Sequence, residues 1–216
     1  MFLKELGTLT KRSIVYIDGF NFYYGAVKGT PYKWLDLQKY FELLRQDDDI
    51  KKIWYFTAKV SGSQLVRQEA YFNALATLPA IEMVFGLYKM KKLRCKIREC
   101  GHQGNKSYQV PEEKGTDVNI ALQMLDDAYQ SACDRIILVS GDSDLVPAVK
   151  LIKKRHPEIQ VTVYIPATDP KRGAATELRN VADKNKTLPS ALFSKAQFPE
   201  ILIGASGKPI CKPSGW

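Results

Sequence analysis

Hydrophobic and polar positions along the chain alternate between two periods. Short apolar, β-branched runs of the kind that form buried strands are separated by segments in which apolar residues recur at helical spacing. The strand-like runs are residues 13–17 (SIVYI), 53–60 (IWYFTAKV), 81–88 (IEMVFGLY), 135–139 (RIILV) and 161–165 (VTVYI). This alternation is typical of a parallel sheet that is covered by helices on both faces.

The helices between these runs are predicted from polar starts and apolar periodicity. Asn21 is expected to cap the first helix, and Pro79 ends the helix that opens at Ser63. Two further helices are predicted over residues 117–132 and 144–155. A chain of this kind is expected to form a mostly parallel five-stranded sheet in the order 3-2-1-4-5.

One domain is expected over residues 1–183. Beyond Asp183 the chain is rich in Lys, Ser, Pro and Gly. We therefore expect residues 184–216 to form a loosely ordered C-terminal tail.

The segment from about residue 89 to 112 interrupts the strand and helix alternation. Within residues 92–98 (KLRCKIR), basic side chains fall on one parity and apolar side chains on the other, which indicates a strand with one basic face. A turn-rich stretch then allows residues 106–110 to return antiparallel, so an inserted β-hairpin is predicted. Two interpretations stay open: a nucleic-acid-binding face, or a solvated hairpin whose charges prevent edge pairing. The basic residues are Lys92, Arg94, Lys96 and Arg98.

Composition and charge narrow the class of protein. Hydrophobic residues make up 45% of the chain and charged residues 25%, which excludes a wholly disordered or collagen-like protein. Four unevenly spaced cysteines do not form the pattern of a secreted disulfide scaffold. Lys4 and Glu5 interrupt the position where a signal peptide needs apolar residues. We therefore expect a soluble, cytoplasmic protein, and the sequence leaves homo-oligomerisation open.

The net charge points to a partner. Lys and Arg number 32 against 23 Asp and Glu, which gives a formal net charge of +9. A polyanion is the expected partner, nucleic acid rather than a membrane.

Acidic residues follow the two strands between which the predicted strand order reverses. Asp18 ends the first strand, and Asp142 and Asp144 follow the fourth. Asp117 starts the helix before the fourth strand, at the same end of the sheet. Each acid alone could be a turn residue or a helix cap, but ligands bind at this reversal point in parallel sheets. Acids gathered there repel one another unless protonated or neutralised, and an all-oxygen set favours Mg²⁺ or Mn²⁺. Such a metal activates water and neutralises phosphate charge, as phosphodiester hydrolysis requires.

Three motifs in order resemble the NYN domain family, in its LabA-like branch. They are Asp18-Gly19-Phe20-Asn21, residues 110–121 (VPEEKGTDVNIA) and residues 137–149 (ILVSGDSDLVPAV). The similarity spans about residues 13–183. It implies a Rossmann-like three-layer α/β/α sandwich similar to PIN-domain ribonucleases, and RNA as the substrate. It also implies divalent-metal binding by the acids, an orienting role for Asn21 and an accessory role for Glu113. The implied metal ligands are Asp18, Asp117, Asp142 and Asp144.

A second metal site is suggested by Cys95, Cys100 and His102, because related proteins often carry a small Cys-rich knuckle at this place. The four residues between the cysteines exceed the usual gap of a zinc knuckle, and the three side chains leave a fourth ligand unassigned. Zn²⁺ at this position is therefore the weaker of the two metal hypotheses.

Two other functions compete with a nuclease. A phosphatase of the haloacid dehalogenase type would use Gly141-Asp142-Ser143, but its first motif needs an acid where this chain has Phe20. A non-catalytic RNA-binding or regulatory module would keep the metal site and stack bases on aromatic residues such as Tyr23 and Tyr24. Mutation of the acids separates the two hypotheses. A nuclease would lose cleavage and keep RNA binding, whereas a binding module has no cleavage to lose.

Overall fold

The protein is built around one twisted parallel sheet with a projecting hairpin. The computed structural model describes residues 10–60, 62–97, 99–167 and 175–216. Its strands are β1 (Lys11–Asp18), β2 (Asp48–Thr57), β3 (Ile81–Phe85), β4 (Leu87–Arg94), β5 (Ser107–Lys114), β6 (Arg135–Val139), β7 (Gln160–Ile165), β8 (Lys184–Thr187), β9 (Ile201–Ile203) and β10 (Pro209–Cys211). The main sheet has the order β3-β2-β1-β6-β7-β8, and all its neighbouring strands pair in parallel.

Helices connect these strands. They are α1 (Gly19–Phe22), which continues as a π-helical segment over Tyr23–Val27, α2 (Leu37–Leu44), α3 (Leu65–Leu75), α4 (Thr116–Tyr129), α5 (Val146–Arg155) and α6 (Thr176–Val181). Short 3-10 segments lie at Gly62–Gln64, Ser143–Leu145 and Ser190–Lys195. No helix in the described ranges is long and apolar enough to cross a membrane.

The sheet separates two apolar cores. Successive side chains of a strand point to opposite faces, so Val15 and Ile17 of β1 enter one core with α2 and α3. Ile14 and Tyr16 enter the other core with α4 and α5. The predicted three-layer α/β/α architecture is therefore confirmed, as is the order of its first five strands.

The C-terminal segment differs from the prediction of a loosely ordered tail. Residues 184–187 form the sixth strand of the main sheet, and Phe193 is fully buried in the core beside α2. The chain then returns to the start of α2, where Phe198 N donates to Trp34 O at 3.0 Å. The overall polar composition misled the prediction, because the apolar side chains between Leu188 and Phe198 are enough to anchor this segment.

The inserted hairpin is formed by β4 and β5, which pair antiparallel from Leu87 opposite Lys114 to Arg94 opposite Ser107. Lys92 and Arg94 share the face of β4 that also carries Tyr88. Lys96 lies beyond the end of β4, and Arg98 lies outside the described residues. The regular basic face is thus shorter than the four-residue face that the sequence predicts.

Candidate active site at the ends of the central strands

Asp18 is the last residue of β1, and its side chain is almost completely buried. Oδ1 accepts the backbone N–H of Asn21 at 3.0 Å and so caps α1. Oδ2 accepts hydrogen bonds from Asn21 Nδ2 at 2.6 Å and Ser140 Oγ at 2.9 Å. Asp18, and not Asn21 as the sequence predicts, is therefore the helix cap, and its carboxylate is held in one orientation.

The loop after β6 is tied to the same carboxylate. Ser140 Oγ, which donates to Asp18, also accepts the N–H of Asp142 at 3.0 Å. Asn21 Oδ1 accepts the N–H of Gly141 at 3.3 Å. Ser140 and Asn21 therefore join the carboxyl ends of β1 and β6. The sequence interpretation missed Ser140, although its position directly after a buried strand is the signal that could have found it.

The two acids of the loop after β6, Asp142 and Asp144, differ in their exposure to solvent. Asp142 is partly buried, and its Oδ1 accepts the N–H of Asp144 at 2.9 Å, which caps the 3-10 segment. Asp144 is exposed at the start of that segment. Both aspartates thus stand at the carboxyl end of the sheet, where the sequence places them.

Asp117 lies in the first turn of α4 and is close enough to the other acids to be affected by their charge. Partial burial, followed by the negative charges of its neighbours, raises the pKa of Asp117 to about 6. In order of effect, these neighbours are Asp142, Asp18 and Asp144. The four aspartates therefore share one electrostatic environment.

Glu113, the proposed accessory carboxylate, belongs to the same environment. It lies on β5, opposite Tyr88, and accepts a hydrogen bond from the Thr116 hydroxyl. Burial and the charges of Asp18 and Asp117 raise the pKa of Glu113 to about 7, against the opposing effect of the Thr116 hydrogen bond. Burial likewise raises the pKa of Asp18, although its hydrogen bonds from Asn21 and Ser140 act in the other direction.

The chemistry of this donor set fits a hard divalent cation, because every side chain offers oxygen atoms and a nearby positive charge would stabilise each ionised carboxylate. The arrangement differs from a preformed cage, however. Within the described residues no group of three or more His, Cys, Asp or Glu side chains could hold a metal ion. Both oxygens of Asp18 are already engaged in hydrogen bonds.

The zinc hypothesis for Cys95, Cys100 and His102 is not supported by their positions. All three lie in described parts of the chain, where they form no metal-binding group with one another or with other candidate ligands. Cys95 continues the hairpin pairing beyond β4, since its N–H donates to Lys106 O at 2.8 Å, and its thiol is free.

An aromatic cavity of about 190 Å³ borders the acidic site. It opens beside Gly19, the residue after Asp18, and lies between α1, the end of β2 and α3. Its lining includes Phe20, Tyr23, Tyr24, Tyr55, Thr57, Arg67, Tyr71, Phe72, Lys33 and Trp216. Of the aromatics that the sequence offers for base stacking, Tyr23 and Tyr24 line this cavity.

Comparison with known proteins assigns the family. The profile of the NYN domain matches residues 12–188, so the chain belongs to the NYN domain family. A curated relative is 6-hydroxy-3-succinoylpyridine 3-monooxygenase HspA of Pseudomonas putida, which is 33% identical over 99% of this chain and 78% of that protein. A crystal structure of a protein of unknown function from Vibrio parahaemolyticus shares the fold, with a TM-score of 0.55 and 19% identity. The match covers 88% of this chain and 97% of that one.

Proposed function

We propose that this protein is a metal-dependent nuclease that hydrolyses RNA. The observation that carries the proposal is that aspartates follow β1 and β6, where the strand order reverses, and that Asp117 lies in the first turn of α4. Three separate segments of the chain contribute these acids. A turn or a helix cap would explain each acid alone, but it would not explain why all three segments contribute one. Membership of the NYN domain family, which belongs to a superfamily of nucleases, supports the same reaction.

The acids would hold the metal, with Glu113 as an accessory carboxylate. When bound, a divalent ion would lower the pKa of a water molecule and neutralise charge that develops on the phosphate. Small rotations of side chains would have to bring the carboxylates together, since they do not form a cage in the conformation described. The proposed ligands are Asp18, Asp117, Asp142 and Asp144.

Other residues of the chain would position these ligands and the substrate. Asn21 and Ser140 fix the orientation of the Asp18 carboxylate through hydrogen bonds. Lys92 and Arg94 lie on the hairpin face that begins at Tyr88 and Glu113, so they would bind phosphates that lead away from the acidic site.

The test is incubation of purified protein with end-labelled single- and double-stranded RNA and DNA, in Mn²⁺ or in EDTA. The proposal expects cleavage in Mn²⁺, none in EDTA, and products with 5′-phosphate and 3′-hydroxyl ends. A substrate with 2′-deoxy at the cut should still be cleaved if it binds, because hydrolysis by water does not use the ribose 2′-hydroxyl. Cleavage in EDTA, or 2′,3′-cyclic phosphate ends, would contradict it.

A non-catalytic RNA-binding module is the second candidate, and the observation that favours it is the lack of a preformed metal group in the described residues. Such a module would bind RNA through the basic hairpin face and would show no Mn²⁺-dependent cleavage. Binding of labelled RNA without any cleavage, in the same assay, would select this function.

Hydroxylation of a small aromatic substrate is a third candidate. It is favoured by the name of the Pseudomonas relative together with the aromatic cavity beside Gly19. A monooxygenase consumes O₂ and a reductant, so the test is oxygen uptake with NADH or NADPH and a hydroxypyridine carboxylate. Substrate-dependent uptake would replace the nuclease proposal, and no uptake would leave it standing.

A further inference from the structure

Two unpartnered hydroxyl groups line the aromatic cavity. Tyr55 and Thr57 lie two residues apart on β2 and therefore point to the same face of the sheet. Their residues are only 5% and 3% exposed, and both line the cavity. Within the part of the chain that the structure describes, neither hydroxyl has a hydrogen-bond partner, and neither oxygen is among the fully enclosed unpartnered atoms, so both are accessible from the cavity. A ligand with a polar edge could therefore hydrogen-bond to both hydroxyls from inside the cavity.

The walls of the cavity suit a flat ring. Tyr71 and Phe72 of α3 contribute one side, and Trp216 packs against Tyr71 with ring centroids 5.9 Å apart. Tyr71 is held in place because its hydroxyl donates to Leu35 O at 2.9 Å. Aromatic side chains fixed in this way provide surfaces on which a planar heterocycle can stack.

The size of the cavity limits the ligand. Its volume of about 190 Å³ is somewhat larger than the ~150 Å³ of an engineered cavity that binds benzene. It is smaller than the roughly 300–1,000 Å³ of sites for drug-sized molecules. The cavity therefore has room for about one ring system and not for a stack of several.

The cavity and the acidic site are adjacent. The pKa of the Tyr55 hydroxyl is raised by burial and then by the charges of Asp18 and Glu113, so these groups are near one another. Gly19 lies between them, and a Cβ on Gly19 would come within 2.9 Å of the Tyr55 ring and 2.7 Å of Phe56 O. Only glycine allows the backbone after Asp18 to approach the cavity wall this closely.

Two cationic side chains complete the lining. Lys33 and Arg67 border the cavity, and neither forms an ion pair with any described residue. A neutral aromatic compound would not need them, whereas an aromatic compound that carries an anionic group, such as the phosphate of a nucleotide, would pair with them.

We propose that the cavity binds one unpaired nucleobase of the substrate, with Tyr55 and Thr57 hydrogen-bonded to its polar edge and the adjoining phosphate directed to the acidic site. This proposal rests on the proposed nuclease function and specifies its substrate. A base inside a duplex must leave the stack to enter such a cavity, at a cost of a few kcal/mol. Single-stranded or looped RNA is therefore the substrate class, and continuous duplex is a poor one.

Fluorine NMR of fluorouridine monophosphate tests base binding without any cleavage. The titration uses the full-length protein carrying Asp142→Asn, in EDTA, so that neither metal nor turnover contributes. The aromatic walls should shift and broaden the fluorine resonance in a saturable way. Unlabelled uridine monophosphate should compete, while ribose 5-phosphate, which lacks the base, should not.

Variants of the cavity give the matched comparison. Tyr55→Phe combined with Thr57→Val removes both hydroxyls with little change of volume and should weaken binding about tenfold or more. Tyr129→Phe removes a hydroxyl from a side chain that is 82% exposed on α4, outside the cavity lining, and should leave the affinity unchanged. Circular dichroism and thermal unfolding of each variant confirm that it is folded.

The outcomes separate this proposal from the proposed function. No base-dependent binding, or equal binding by the double variant, overturns the base pocket, and Mn²⁺-dependent cleavage would then stand alone. Base binding without cleavage by the unsubstituted protein supports the pocket and rejects the nuclease. Displacement of the nucleotide by an equimolar hydroxypyridine carboxylate overturns the pocket and favours a small aromatic substrate.

Discussion

The Ser140 hydroxyl donates a 2.9 Å hydrogen bond to Oδ2 of Asp18, and so links the end of β6 to the end of β1. Because Ser140 Oγ also accepts the N–H of Asp142, one serine sets the positions of two of the proposed metal ligands. The link crosses the point at which the strand order reverses. The acidic site is therefore organised by a residue that carries no charge.

Ser140→Ala should lower the rate of Mn²⁺-dependent RNA cleavage by about tenfold or more, because Asp18 loses a donor that orients it. The free energy of unfolding should fall by about 1–3 kcal/mol, since the Asp142 N–H loses its acceptor and Asp18 Oδ2 loses one of its two donors. Ser13→Ala is the matched control, as Ser13 is equally buried but lies near the other end of β1. Loss of activity in both variants alike would show that the effect is only one of stability.

The metal-free protein should become less stable as pH rises from about 4 to about 7. The pKa values of Glu113 and Asp117 are about 7 and about 6 in the folded protein, against 4.5 and 3.8 as their usual values. The folded state therefore binds protons more tightly than the unfolded state, and deprotonation favours unfolding. Both groups are about half exposed, so the loss is roughly 1 kcal/mol for each. Urea denaturation in EDTA across this range measures it.

Asp117→Asn provides the control for this pH dependence. The amide imitates the protonated acid and removes one charge from the cluster, so the stability of the variant should vary less between pH 4 and pH 7. A variant with the same pH dependence as the unsubstituted protein would show that the carboxylates are not coupled.

The two faces of the hairpin allow a charge-matched test of nucleic-acid binding. Lys92→Gln with Arg94→Gln removes two cations from the face that continues from Glu113, whereas Lys89→Gln with Lys91→Gln removes two from the opposite face. The first pair should weaken RNA binding. It should also reduce the slope of the logarithm of the binding constant against the logarithm of salt concentration by about 1.4, because each phosphate contact with a single strand contributes about 0.7. Equal effects of the two pairs, measured by fluorescence anisotropy at several salt concentrations, would mean that only net charge matters.

Phe193→Ala should destabilise the protein by about 3–5 kcal/mol, because Phe193 is fully buried against Phe22 and Tyr40. Ile203→Ala, at a side chain that is 67% exposed on β9, should change stability by less than about 0.5 kcal/mol. Thermal unfolding compares the two. A small effect of Phe193→Ala would mean that the C-terminal segment is dispensable for the domain.

The sequence predicts the features that depend on local pattern. The apolar runs predict β1 and β6. The acids directly after these strands, Asp18 and Asp142, predict the acidic crevice at their carboxyl ends. Contacts between distant segments are not visible in such patterns. Phe193 packs on α2 from a segment far along the chain, and the cavity needs Trp216 to meet Tyr71. Local pattern also cannot show that Asn21 and Ser140 both donate hydrogen bonds to Asp18.

The most direct measurement is the initial rate of single-stranded RNA cleavage in Mn²⁺ by the unsubstituted protein, by Asp142→Asn and by Asp126→Asn. Asn at position 142 can still accept the N–H of Asp144, so the loop keeps its cap while one acidic charge is lost. Asp126 is an exposed aspartate of α4 that bonds only to Gln130 in the described structure, so its replacement controls for loss of charge. The account predicts that Asp142→Asn lowers the rate by at least about a hundredfold while Asp126→Asn leaves it unchanged. Equal rates for all three proteins would contradict it.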